Sequence, residues 1–299
     1  MRHRTMTELF NALITGLAQG AMIALVALGY TMVYGILKLI NFAHSEIFMM
    51  GAFAGLFLIT GLGGQASPIV AGVFGTLGAM LLAGALGVLV ERVAYAPLRA
   101  RGGNSANARI TPLVTALGMS VFLQNFAQLL FTARYRGYPQ LIPIQYTRTI
   151  IFFAAIVVMA GLHLFVQRTW TGKAMRALSV NIEAARLQGV RTGRIISLTF
   201  LVGSMLAALG SVLYCLDQSQ AYPTMGVVIG TRAFVAAVIG GIGNIVGAML
   251  GGVLIGILGE LTKLTPYSGL QDVLVFIVLI GVLLVKPSGL LGKVGTEKV

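Results

Sequence analysis

Residues 195–216 read Ile195-Ile-Ser-Leu-Thr-Phe-Leu-Val-Gly-Ser-Met-Leu-Ala-Ala-Leu-Gly-Ser-Val-Leu-Tyr-Cys-Leu216. No charged side chain interrupts the run, and it exceeds the roughly 20 mostly apolar residues that a helix needs to cross a hydrocarbon core. Inside a bilayer every backbone N–H and C=O must be bonded within the segment, so such a run is read as a transmembrane helix. Similar runs lie on both sides of it, at 9–34, 47–61, 69–90, 112–131, 150–166, 227–239, 246–261 and 273–285. The runs at 47–61 and 227–239 are short and flanked by Gly or polar residues, which marks them as candidate broken or re-entrant helices. The expectation is an all-α, polytopic transmembrane helix bundle with about eight spans, occupying residues 1–299 as a single transmembrane domain.

Composition agrees. Of 299 residues 57% are hydrophobic and 10% charged, against about 25% charged in ordinary soluble domains. The net charge of +13 does not indicate nucleic-acid binding, because the cations fall between apolar segments rather than along one face of a soluble fold. There they orient the chain and meet anionic lipid headgroups. The single cysteine, Cys215, excludes an internal disulfide and supplies no metal cluster. The basic start Met1-Arg2-His3-Arg4 precedes an apolar run too long for a signal peptide, so an uncleaved first span is expected.

Orientation follows the loop cations. Arg92, Arg99, Arg101 and Arg109 follow the third run, and the segment 168–194 carries Arg168, Lys173, Arg176, Arg186, Arg191 and Arg194. With Lys286, Lys293 and Lys298 at the C-terminus, these segments are assigned to the cytoplasmic side. Arg134, Arg136 and Arg148 then fall outside, against the rule. The side of the N-terminus stays open: Arg2 and Arg4 favour the inside, as eight crossings do, whereas nine full crossings place it outside.

Small residues at four-residue spacing let helices approach closely. Gly243, Gly247 and Gly251, together with Gly240 and Gly241, read as helix-packing glycines, as do the Gly252/Gly256 and Gly16/Gly20 pairs.

Two segments hold candidate functional residues. In the loop 168–194, Asn181 is suited to cap a short helix with Glu183 in its first turn, and Gly189 to end it. Ala184, Ala185 and Leu187 give this helix a small apolar face, with Arg186 available to a partner. In the second segment Asn41, His44 and Glu46 lie between two apolar runs, shortly before Gly51. One reading makes them part of a broken helix facing a solute path. The other makes His44 and Glu46 an interfacial cap paired with Lys38. No Gly-x-x-x-x-Gly-Lys-Ser/Thr loop, His-Glu-x-x-His pattern or mid-span carboxylate pair occurs, so neither a P-loop, nor a catalytic residue, nor a metal site is read here.

The loop Glu183-Ala184-Ala185-x-x-x-Gly189 resembles the motif by which ABC importer permeases meet their ATPase subunits, without the usual Ile-x-Leu-Pro continuation. Gly35-Ile-Leu-Lys-Leu-Ile-Asn-Phe-Ala-His-Ser-Glu-Ile-Phe-Met-Met-Gly51-Ala-Phe is similar to a stretch of the branched-chain amino acid permeases of the LivH type, with Ser45 where that family has Gly. The glycine-rich stretch from Phe234 to Gly252 and Lys286-Pro287-Ser-Gly289-Leu-Leu-Gly292 resemble later segments of the same family, in the same order. The resemblance implies a non-enzymatic permease subunit of an ATP-driven importer, most simply for branched-chain amino acids. It also implies two ATP-binding subunits carrying ATP and Mg, a second related permease chain, an extracytoplasmic solute-binding protein, and no cofactor on this chain. Permeases for urea or short amides are related, and a self-contained secondary transporter or channel is the alternative from another class.

Overall fold

The computed structural model describes residues 2–64, 66–100 and 107–292, without the side chains of 2–5, 100, 107–110, 144 and 145. Arg101, Lys293 and Lys298, and the side chains of Arg2, Arg4 and Arg109, therefore lie outside the described residues. The helices are α1 (Arg2–Leu37), α2 (Ala43–Leu62), α3 (Pro68–Val90), α4 (Ala96–Ala100), α5 (Asn107–Phe131), α6 (Ile144–Arg168), α7 (Trp170–Val180), α8 (Ile182–Leu187), α9 (Thr192–Gln218), α10 (Met225–Gly240), α11 (Ile245–Lys263) and α12 (Gln271–Val285). A π-helical turn, Glu91–Tyr95, joins α3 to α4. Two-residue strands β1 (Arg136–Gly137) and β2 (Gln220–Ala221) pair antiparallel, tying the α5–α6 loop to the end of α9.

Among the described residues eight helices are long and apolar enough to cross a membrane, as the hydropathy reading expects; α10 is the short one. At 1.5 Å per residue its 16 residues reach about 24 Å, less than a hydrocarbon core of about 30 Å. The second run is longer than it reads. α2 begins at Ala43 rather than near residue 47, because His44, Ser45 and Glu46 are buried in protein and continue the helix.

α1, α2 and α9 form the buried centre, whereas α12 turns nearly all its side chains outward. Close approach at the centre depends on glycine. α11 runs antiparallel to α1, and a Cβ on Gly20 would stand 2.7 Å from Val253 Cα, one on Gly256 2.2 Å from the Gly20 nitrogen. On its other face α11 meets α10, where a Cβ on Gly247 or Gly251 would stand 2.1 Å from the carbonyl oxygens of Gly240 and Ala236. Gly240, Gly247 and Gly251 are thus packing glycines, but Gly241 and Gly243 are not helical. Both lie in the α10–α11 turn with φ of +100° and +93°. The turn is held by Leu290 and Leu291, whose amides donate to the carbonyls of Ile239 (2.7 Å) and Gly240 (3.1 Å).

Thr15, in the first half of α1, meets Arg148 in the first turns of α6, on the face opposite α7 and α8. Chain direction alternates through all the long helices and α10, so α1 starts on that opposite face and α12 ends on the α7–α8 face. Arg148 and Arg136, which the alternation of spans assigns to the outside against the loop-charge rule, have acceptors within the protein. Arg148 pairs with Asp217 at 3.1 Å, and Arg136 donates to the Phe131 carbonyl that ends α5 while lying over the Phe57 ring.

Candidate functional site

α1 ends at Leu37, Lys38 turns the chain with φ of +55°, and residues 38–42 fold back into the bundle. His44 then lies beside Gly29: a Cβ on Gly29 would stand 2.3 Å from His44 Nε2. Gly29 is eight residues before the end of α1, roughly 12 Å deep along the helix. Non-helical backbone at this depth is tolerated only where protein or a water-lined cavity surrounds it. Here Asn41 is buried and Leu39, Ile40 and Phe42 are half-buried, while His44, Ser45 and Glu46, which open α2, are buried as well.

Asn41, His44 and Glu46 have partners from distant parts of the chain, whereas Ser45 donates to the nearby Phe42 carbonyl at 2.7 Å. Tyr95, in the π-helical turn, donates its hydroxyl to Asn41 Oδ1 at 2.8 Å, leaving Asn41 Nδ2 without a partner. His44 Nε2 lies 3.2 Å from the Val26 carbonyl, and its ring meets the Tyr30 ring edge-on at 4.7 Å. Ser120, from α5, donates to Glu46 Oε1 at 3.2 Å. Neither His44 nor Glu46 pairs with Lys38, so the interfacial cap is not what the structure contains: α2 has no side-chain N-cap. Gly51, placed with this stretch in the sequence reading, is a packing glycine instead; a Cβ there would stand 2.8 Å from Ala208 Cα.

The opposite wall is α10. A Cβ on Gly226 would lie 2.4 Å from the Ser45 carbonyl oxygen, and one on Gly230 2.3 Å from Ser45 Cβ. Further along, Phe234 meets Tyr30 at 6.1 Å and Phe42 at 6.3 Å, forming an aromatic plug. Beyond it, Tyr34, Ile40, Ala237 and Ile242 complete a small hollow toward the α7–α8 face. Sequence reading missed α10's part in this site, although the Gly226/Gly230 spacing carried the signal.

The second site is the loop between α6 and α9. Asn181 caps α8 through Ala184 N at 3.0 Å, Glu183 sits in the first turn, and Gly189 follows the helix with φ of +81°, a conformation that favours glycine. Ala185 turns into the bundle, while Glu183, Ala184, Arg186 and Leu187 are exposed, Leu187 by 87%. Sequence reading did not foresee α7. It is amphipathic, buries Met175 and Leu178, and is pinned by Arg176, which donates to the Val166 carbonyl at the end of α6. A cleft lined by Thr31, Ile36, Met175 and Arg176 places α7 against the end of α1, so displacement of this loop reaches α1, α6 and α9 together.

A third polar set joins the π-helical turn and α4 to α9: Glu91 pairs with Arg99 and accepts from Ser197 Oγ at 2.7 Å. On the opposite face, Tyr138 carries a buried hydroxyl without a partner, and burial pushes its pKa up. No group of three or more metal-binding side chains occurs among the described residues.

Residues 12–283 match the family described as branched-chain amino acid transport system, permease component. The high-affinity branched-chain amino acid transport system permease protein BraD of Pseudomonas aeruginosa is 40% identical, covering 96% of this chain and 97% of its own length. The corresponding LivH protein of Escherichia coli is 37% identical, covering 98% and 97%. A probable branched-chain amino acid transport permease protein LivH of Methanocaldococcus jannaschii is 25% identical over 91% of this chain and 89% of its own. No solved structure matches the chain.

Proposed function

The chain belongs to the branched-chain amino acid transport permease family, and on that footing we propose that it is a membrane-spanning subunit of an ATP-driven importer of branched-chain amino acids. The observation that carries this reading is the near-full-length similarity to BraD and LivH, which spans both the broken helix and the α7–α8 loop. As a multi-pass protein of the inner membrane, it provides the path and the moving parts. Two partner subunits bind and hydrolyse ATP with Mg, a second related permease chain completes the pore, and an extracytoplasmic binding protein delivers the solute.

The mechanical input enters at α8. Its exposed Glu183, Ala184, Arg186 and Leu187 are the surface offered to an ATPase subunit, and Gly189 ends the helix sharply. Closure of the ATPases pushes α8 and, through the α7 anchor, the ends of α1, α6 and α9. The bundle has two arrangements, and ATP supplies the difference in their stability. The path runs past the buried Asn41–Glu46 segment between α1, α2, α9 and α10, mostly along apolar and small residues. The Tyr30, Phe42 and Phe234 rings close it toward the α7–α8 face in the present arrangement.

The test is reconstitution. The five-part complex in vesicles should accumulate radiolabelled leucine, isoleucine or valine only with ATP and the loaded binding protein. Uptake without the ATPase subunits, or none of these amino acids under any condition, overturns the reading.

A further inference from the structure

Glu46 is fully buried, and its two oxygens differ. Oε1 faces the hydroxyls of Ser120 at 3.2 Å and Ser45 at 3.4 Å; Oε2 has no hydrogen-bond partner. The free oxygen is aimed at the first turn of α10, where a Cβ on Gly226 would stand 3.0 Å from it. α10 begins without a side-chain cap on Thr224; the Met225 amide donates to the Tyr222 carbonyl at 3.2 Å, and the other first-turn amides, with the positive end of the helix dipole, belong to the same turn as Gly226. Among the described residues no Lys or Arg pairs with Glu46.

A buried carboxylate oxygen with no cation is an expensive way to hold two helices together, and Gln would fill the same volume. Its position beside uncapped amides has a different use. One acceptor and a set of donors, a few ångströms apart at membrane depth, are complementary to the head group shared by all α-amino acids.

We infer that Glu46 and the first turn of α10 form a transient station for the amino acid zwitterion, Glu46 taking the α-ammonium and the backbone amides taking the α-carboxylate. This rests on the reading of the chain as an amino acid permease and adds how it recognises the head group. The side chain plays no part in this recognition, which leaves discrimination among apolar side chains to the binding protein. Glycine at 226 and 230 keeps α10 free of Cβ atoms on the face toward Ser45 and Glu46. In the present arrangement that face is closed on Ser45; the station opens when α10 separates from α2.

The experiment measures radiolabelled leucine binding to the complete complex without its binding protein, with 2-hydroxy-4-methylpentanoate as competitor. The competitor keeps the carboxylate and side chain but has a hydroxyl in place of the ammonium. Wild type should prefer leucine by roughly tenfold or more, the worth of one charge-assisted hydrogen bond. In Glu46→Gln the preference should collapse toward one, because leucine weakens and the hydroxy acid does not. Glu46→Asp, which keeps the charge, should retain the preference and serves if the first variant does not fold. An unchanged preference in Glu46→Gln, an equal loss of both ligands in either variant, or no saturable leucine binding by a complex that transports leucine would each overturn the station. A wild-type complex that transports no branched-chain amino acid overturns the parent reading instead.

Discussion

Arg148, at the start of α6, holds the carboxylate of Asp217, at the end of α9, at 3.1 Å, and the same guanidinium donates to Thr15 of α1 at 2.8 Å. Three helices are therefore tied on the face opposite α7 and α8 by one side chain. Asp217 is nearly buried, so loss of its partner leaves a desolvated charge. Arg148→Ala should lower the midpoint of thermal unfolding in detergent by several degrees, and Arg148→Ala with Asp217→Asn should recover much of the loss. Equal damage from the single and double variants would refute this account.

The α1–α11 seam makes a steric prediction. Gly256→Leu drives a side chain into the Gly20 backbone, which cannot yield as a flexible side chain could. It should abolish the folded, monodisperse protein on size-exclusion chromatography. Gly161→Ala, with nothing within 4 Å of its Cβ, should elute as wild type does.

In the α8 loop, Leu187→Asp and Glu183→Lys alter only exposed atoms. Both should cut ATP-dependent uptake by roughly tenfold, the worth of an interface contact of about 1.4 kcal/mol. Membrane insertion and expression should stay normal. Co-purification of the ATPase subunits, quantified by immunoblot, should fall in parallel; undiminished uptake by both would move the docking surface elsewhere.

Tyr95→Phe removes the donor to Asn41 Oδ1 and leaves a buried amide with no partner at either end. The cost should be about 1–3 kcal/mol, read as a fall in unfolding midpoint. Asn41→Leu added to Tyr95→Phe should be milder than Tyr95→Phe alone, since no orphaned polar group then remains.

The raised pKa of Tyr138 sets a pH dependence. An acid whose pKa is higher in the folded than in the unfolded state stabilises the fold below the unfolded value and loses that contribution as pH rises through it. With an unfolded value near 10, stability should fall above about pH 10. Tyr138→Phe should flatten that limb of a melting-temperature profile, and an unaltered profile would argue against a buried Tyr138 hydroxyl.

The long apolar runs, the loop cations and the Asn181–Gly189 pattern were legible in order, because each is a local property. Lipid leaves backbone polar groups only the helix and the closed barrel, of which a run of some 20 apolar residues fits the helix, and a helix cap needs only its own few residues. That is why the eight long helices, α9 among them, and the capped α8 follow the reading, apart from the start of α2. α7 escaped it, since its apolar face is buried against α6, α1 and α9 rather than displayed in a continuous run.

The segment 41–46 shows where local reading ends. Asn41, His44 and Glu46 have the same residue types whether they cap a helix at an interface or lie deep in a bundle. What separates the cases is distance through space: Tyr95 on Asn41, Gly29 under His44, Ser120 on Glu46, Gly226 against Ser45. The runs of apolar residues alone thus settle that this chain is a bundle of membrane helices. Depth, the closure between α2 and α10 and the free oxygen of Glu46 follow only from the packed bundle, because burial is a property of neighbours that lie far away along the chain.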